Sequence, residues 1–354
     1  MNDEKLAELI ATLTPPDRKL CAKARELLDK MAIPRGSLGR LEECAQRVVA
    51  ITGSLTPEIK KKTVVVFAGD HGVVEEGVSA FPQDVTAQMV ANFIKGGAGI
   101  NVLSRHVGAE VLVVDVGVVA DIKPQPGLLI KKVARGTQNM AKGPAMSRGE
   151  ALHALSVGIE VAHRLKSEKT DLLGTGDMGI GNTTPSSAIA SVLTGKKVEE
   201  VTGRGTGISD QMLDRKIQVI KKSLQLNQPN PLDPVEVLAK VGGFEIAAIA
   251  GVIIGAVFHK IPVVIDGFIS TAAAVVAVSL APVIREHLFA AHKSQERGHA
   301  VLLEWLTQRP LLDLSMRLGE GTGAALAMSL IESGVKVLRE VLTFDDAKVR
   351  KPIH

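Results

Sequence analysis

A single carboxylate, Glu320, stands between glycines in the stretch LGEGTGAALA (318 to 327), with no basic residue for several positions after it and only Arg317 just before. Alone, it reads either as a helix-start acid favoured by the positive end of the helix dipole or as an acid kept for chemistry. Two more loops share its glycine-rich, hydroxyl-bearing character, GTGDMGIGNTT (174 to 184) and GRGTGISD (203 to 210). The first follows a strand-like run and opens a helix at Thr183 or Thr184, with Pro185 near the first turn. Free backbone N–H groups at such a start form an anion cradle. A single phosphate suits it best: no Gly-Lys-Ser/Thr follows, and an acid and a methionine interrupt the dinucleotide pattern. Glycines also serve tight turns and close helix packing, but three such loops in one chain favour phosphate or sugar contact by at least one.

Other candidates are weaker. In AGDHGV (68 to 73), His71 with Asp70 and Glu75 or Glu76 offers too few ligands for a familiar metal site; the expectation is structural, Asp70 capping a turn and His71 satisfied by backbone. Asp266, in DGF, reads equally as reaching into a cleft or capping the next helix. Cys21 and Cys44 lack metal-knuckle or redox spacing and read as inert core thiols. There is no G-x-S-x-G and no H-E-x-x-H.

The elements that must position these groups follow an α/β grammar. TVVVFAGD (63 to 70) and AEVLVVDVG (109 to 117) read as strands ending in Gly or Asp; LLIKKVA (128 to 134), which alternates less cleanly, the run before GTGDMG, and PVVIDGF (262 to 268) follow, with helical stretches such as 84 to 106 and 147 to 166, the latter capped by Ser147, between them. Repeated strand, glycine loop and helix predict a mostly parallel sheet covered on both faces, with ligands at the carboxyl ends of the strands. The first 60 residues read as a helical lead-in, with Ser37 or Gly39 at a helix start, and everything past 280 as helical, ending in a frayed tail, AKVRKPIH. The expected division is a large α/β domain, 60–285, and a small discontinuous helical domain, 1–59 with 286–354.

Composition narrows the class. The chain has 354 residues, 45% hydrophobic and 23% charged, which fits a compact fold and not a disordered one. Its longest apolar runs are too short to span a bilayer, and its acidic N-terminus does not resemble a secretory signal, so the expected location is cytoplasmic. Net charge is +4, yet the basic residues are scattered, tyrosine is absent and aromatics total 3%. That disfavours nucleic acid and suits a small anionic substrate. A dinucleotide oxidoreductase would want G-x-G-x-x-G after the first strand, which ends AGDHGV instead.

Taken together, PRGSLGRLE (34 to 42), AGDHGVVEEGVSAFPQDVTAQMV (68 to 90), ARGTQNMAKGPAMSR (134 to 148), GIGNTTPSSA (179 to 188), NQPNPLDP (227 to 234), VVIDGFIS (263 to 270) and MRLGEGTGAALA (316 to 327) resemble, in order and over nearly the whole chain, the nicotinate mononucleotide:5,6-dimethylbenzimidazole phosphoribosyltransferases of cobalamin lower-ligand synthesis. The resemblance implies a homodimer with a Rossmann-like sheet and a helical domain made from both chain ends. It implies transfer of phosphoribose from nicotinate mononucleotide to a benzimidazole nitrogen with inversion at the anomeric carbon, without cofactor or metal, since no pyrophosphate leaves. Glu320 matches the family's general base, and Asp177 stands where members commonly carry a glutamate, which assigns it to ribose contact or oxocarbenium stabilisation. Phosphate and ribose contacts are expected from Gly179, Gly181, Asn182, Thr183, Thr184, Gly203, Gly205, Gly207, Lys216 and Asp266. Phe81, Gln88, Met89 and Leu318 match the acceptor pocket. Phe81 replaces a common tyrosine, which points to wider acceptor choice, other azoles or phenols, or to a non-catalytic partner subunit as the alternative.

Overall fold

The computed structural model describes residues 1–350. Six parallel strands form one sheet: β1 (Lys62–Gly69), β2 (Ala109–Gly117), β3 (Leu128–Ile130), β4 (Leu172–Met178), β5 (Val263–Ile265) and β6 (Leu288–Ala290), in the order β3-β2-β1-β4-β5-β6. The order reverses between β1 and β4, where Phe67 pairs with Asp177 and Ala68 with Met178. A cleft therefore opens beyond the carboxyl ends of these two strands.

Every residue of β1 is buried, as a strand covered on both faces requires. Its alternation sorts the core: Val65 and Phe67 join one apolar cluster, and Val64, Val66 and Ala68 the other. The first cluster contains the helices Arg148–Ser167, Phe244–Phe258 and Phe268–Leu280; the second is covered by Arg40–Thr52, Gly99–Val107 and Thr322–Glu340. Gly158 and Gly251 let the first two helices touch backbone to backbone; a Cβ on Gly158 would lie 2.0 Å from the Ala248 carbonyl.

The N-terminal segment after the first helix meets the C-terminal helix, and the first helix, Asp3–Ala11, joins the cluster of Arg148–Ser167. Helix Arg40–Thr52 packs on Thr322–Glu340, Met31 bridges Thr343, and Leu338 shares a small cluster with Ala24, Leu28 and Val49.

Several local expectations change. The stretch past residue 280 is not all helix: Leu288–Ala290 completes the sheet, beyond the residue 285 boundary, because a three-residue run carries no period of its own. The strand expected over 128 to 134 is confined to Leu128–Ile130, and the helical stretch 84 to 106 is two helices broken at Gly96, whose φ is +78°. Helix Arg40–Thr52 has Gly39 as its N-cap, and Ser147 caps Arg148–Ser167 in a reciprocal box with Glu150. Within the tail expected to fray, Val349 N donates to Phe344 O at 3.0 Å; residues 351–354 of that tail lie outside the described residues.

Candidate active site

Glu320 is held by its backbone. Gly319, Glu320 and Gly321 take φ values of +82°, +62° and +92° in succession, a left-handed run that only flanking glycines make tolerable. The loop presses onto β4, where a Cβ on Gly176 would stand 2.4 Å from the Glu320 carbonyl oxygen. Asp266 fixes the far side: Oδ2 accepts from Gly321 N at 3.1 Å and Oδ1 from Ala324 N at 3.0 Å. It thus caps helix Thr322–Glu340, not the next helix, Phe268–Leu280, and is fully buried.

The Glu320 side chain lines a cavity of about 690 Å³ and is only 6% exposed. Its Oε2 accepts from Ile100 N, at the start of helix Gly99–Val107, at 3.1 Å. Burial raises its pKa, the Ile100 N–H works against the shift, and the negative charge of Asp266 adds to it.

Asp177 lies near the end of β4 in the same cavity. Burial, with Asp266 and then Glu245 and Glu320 as like charges, pushes it up to about 8, although Asn182 Nδ2 donates to its Oδ2 at 2.9 Å. Its Oδ1 has no hydrogen-bond partner. The following loop folds tightly over β1: a Cβ on Gly179 would sit 2.4 Å from the Gly69 carbonyl, and Gly181 has φ +87°. Asn182 precedes helix Thr183–Thr194, so the helix start faces the cleft.

Of the residues expected at the site, the cavity gathers Glu320, Asp177, Gly179, Gly181, Asn182, Thr183, Gly205, Phe81, Met89 and Leu318. Six lie off its lining. Thr184 is buried beneath the helix start, and Asp266 is taken up by capping. Gly203 packs on Glu296, where a Cβ would meet Oε2 at 2.2 Å, and Gly207 only shapes the loop, with φ +93°. Gln88 is exposed and donates to Asp84 Oδ2 at 3.0 Å. Lys216 stands behind Thr183, donating to its hydroxyl at 2.6 Å; burial lowers it to about 8 against the opposing pull of Glu296.

His71 is not satisfied by backbone. Its Nε2 meets Glu245 Oε1 at 2.7 Å, and although burial opposes its charge, Glu245 and Asp70 raise its pKa overall. Asp70 Oδ2 accepts from Val119 N at 2.8 Å, a bond between strand ends, not a turn cap.

The sequence reading missed His292, Ser294 and Glu296, which line the cavity from the stretch read as helix after β6, and Arg317, whose guanidinium donates to Gly205 O at 3.2 Å. Arg317 was visible beside Glu320; the other three left no signal because their placement follows from β6.

Apolar Phe81, Met89 and Leu318 therefore share one cavity with hydroxyl and backbone donors at Thr183, Gly205 and Thr206 and with two acids of raised pKa. Such a cleft accepts a flat apolar ring, a cationic centre near the acids and an anion near the helix start. A phosphoribosyltransferase family profile matches residues 13–349. The nicotinate-nucleotide–dimethylbenzimidazole phosphoribosyltransferase of Geotalea uraniireducens is 62% identical over 97% of this chain and 98% of its own length.

The chain belongs to the nicotinate-nucleotide–dimethylbenzimidazole phosphoribosyltransferase family. The Geobacter sulfurreducens member is 59% identical over the same shares of both chains. A crystal structure of CobT from Thermus thermophilus superposes with a TM-score of 0.91 at 47% identity, covering 94% of this chain and 100% of that one. Membership of this family places the chain among transferases of cobalamin biosynthesis. No helix among the described residues is long and apolar enough to cross a membrane.

Proposed function

We propose that this member transfers the phosphoribosyl group of nicotinate mononucleotide to 5,6-dimethylbenzimidazole or a related base, giving α-ribazole 5'-phosphate and nicotinate. The observation that carries the reading is Glu320: a buried carboxylate of raised pKa in the same cavity as the Gly179–Thr183 helix start. The donor phosphate sits on the N–H groups of that start, with Thr183 oriented by Lys216. The acceptor ring lies against Phe81, Met89 and Leu318.

One acceptor nitrogen attacks the anomeric carbon as the bond to the pyridine nitrogen breaks, and the bonding pair returns to the ring. Nicotinate leaves, and attack opposite the leaving group inverts the centre. The acceptor's other N–H transfers its proton to Glu320, whose raised pKa makes it a better base than an ordinary glutamate. Asp177 serves the sugar. It is mostly protonated at neutral pH in the free protein, and the cationic pyridinium of the donor favours its ionised form, which then faces the developing oxocarbenium charge.

Phe81 is half exposed at the rim and brings no hydroxyl, so ring stacking and shape choose the acceptor. Competition between dimethylbenzimidazole and adenine or phenol should show weak discrimination, sharpened in Phe81→Tyr; near-exclusive use of dimethylbenzimidazole by the unaltered protein would overturn this. Failure to turn over any of these acceptors would favour the alternative, a non-catalytic partner subunit. The functional unit we propose is a homodimer.

A further inference from the structure

A second cavity, of about 370 Å³, shares no lining residue with the first. Helices Arg18–Leu28 and Arg40–Thr52, the turn Pro282–His287 and the loop 307–309 wall it. Five arginines, Arg18, Arg40, Arg47, Arg285 and Arg309, line it against two carboxylates. Those carboxylates are already engaged: Glu43 lies 2.8 Å from Arg40 and 3.7 Å from Arg47, and Glu286 lies 3.7 Å from Arg18. Among the described residues, Arg285 and Arg309 have no carboxylate at ion-pair distance.

The cavity is also stiffened for use. Arg285 lies over the Trp305 ring at 5.4 Å, and its buried Nε has no hydrogen-bond partner. Arg47 stacks on Phe289 at 4.2 Å and donates to the Leu288 carbonyl, and burial pulls its pKa down. Arg40 donates to the Arg309 carbonyl at 2.9 Å, tying the loop to the helix. Five guanidiniums about two carboxylates leave an excess of positive charge that an anion would relieve, and guanidinium forks match phosphoryl oxygens in geometry as well as charge. An adjoining hollow of about 530 Å³ shares Pro16 and Ala50 with this cavity and adds Lys260, His287 and Asp17, whose carboxylate is taken up in capping helix Arg18–Leu28. The site is therefore larger than a bare phosphate needs, with an apolar floor beside the charge.

We propose that this cavity binds a small phosphate ester, its phosphoryl group held by Arg285 and Arg309 and its organic part laid over Pro16 and Ala50. Calorimetric titration with glycerol 3-phosphate and, separately, inorganic phosphate tests it on the full chain. The ester should bind more tightly than free phosphate, and its affinity should fall about tenfold or more in Arg309→Ala and in Arg285→Ala, with phosphoribosyl transfer unchanged. Arg309 is exposed, so its loss leaves the fold intact even if Arg285→Ala does not. Phosphate held only at the catalytic helix start would persist in both variants. Equal affinity in wild type and Arg309→Ala, or an ester weaker than free phosphate, overturns the proposal.

Discussion

Two acids of raised pKa in one cleft are the residue-scale feature from which the chemistry follows, and burial leads both shifts. For Glu320 the sign is direct: as the base we propose it must be ionised, and a folded pKa above the ordinary value of about 4.3 predicts that activity is lost at a higher pH on acidification than a free glutamate would dictate. A pH–kcat profile flat down to about pH 4 contradicts this. For Asp177 the shift to about 8 predicts an uptake and release cycle. On our proposal the free protein holds this proton at pH 7, and the pyridinium ring of the bound donor, placed beside the carboxyl, lowers the pKa and expels it. Calorimetric heats of nicotinate mononucleotide binding should vary with the ionisation enthalpy of the buffer, and Asp177→Asn should remove that dependence. Heats independent of buffer would show that Asp177 is already ionised. The glycines beside Glu320 were legible in the sequence as a special loop, and their left-handed φ values are what the structure adds. The raised pKa of Glu320 was expected from a dry pocket; that of Asp177 was not, since it follows from burial together with the charges of Asp266 and Glu245, far away in the chain.

At the scale of elements, the site is a junction of β4, the 177–182 loop and the start of helix Thr322–Glu340. Gly176 and Asp266 hold that junction from opposite sides. Gly176→Ala sets a Cβ 2.4 Å from the Glu320 carbonyl oxygen, so the loop must move away; kcat should fall at least tenfold with the sheet intact by circular dichroism, and an unchanged kcat would mean that the position of Glu320 is not critical. Asp266→Ala leaves two buried N–H groups unpaired, at a cost of about 1–3 kcal/mol each. It should lower the unfolding temperature and kcat together, whereas loss of donor affinity alone would return Asp266 to direct substrate contact. The long β-branched strands and the Ser147 cap were readable from local pattern. Leu288–Ala290 was not, because three apolar residues beside a helical stretch have no distinguishing period. Nor were the contacts of Asp266 with Gly321, 55 residues on, or of His71 with Glu245, 174 residues on. Sequence spacing carries no record of such pairings.

On the scale of the whole molecule, the parallel sheet and its switch point place the cleft; helix Arg40–Thr52 and the C-terminal helix Thr322–Glu340 cover one face of the sheet, and the first helix, Asp3–Ala11, joins the core on the other. Fold class and the region of the site were legible because glycine loops mark strand ends in such sheets. Which side chains reach the cavity, and which stand one layer behind, depended on the register of β1 against β4. The homodimer we propose should sediment at twice 37.4 kDa, and a monomer at working concentration would refute it. The most direct measurement for the account as a whole is nicotinate release from nicotinate mononucleotide with dimethylbenzimidazole, comparing wild type with Glu320→Gln. Wild type should turn over, and the variant should lose between about a hundredfold and ten-thousandfold in kcat while still binding the donor. A variant that releases nicotinate at the wild-type rate would contradict the assignment of Glu320 as the base.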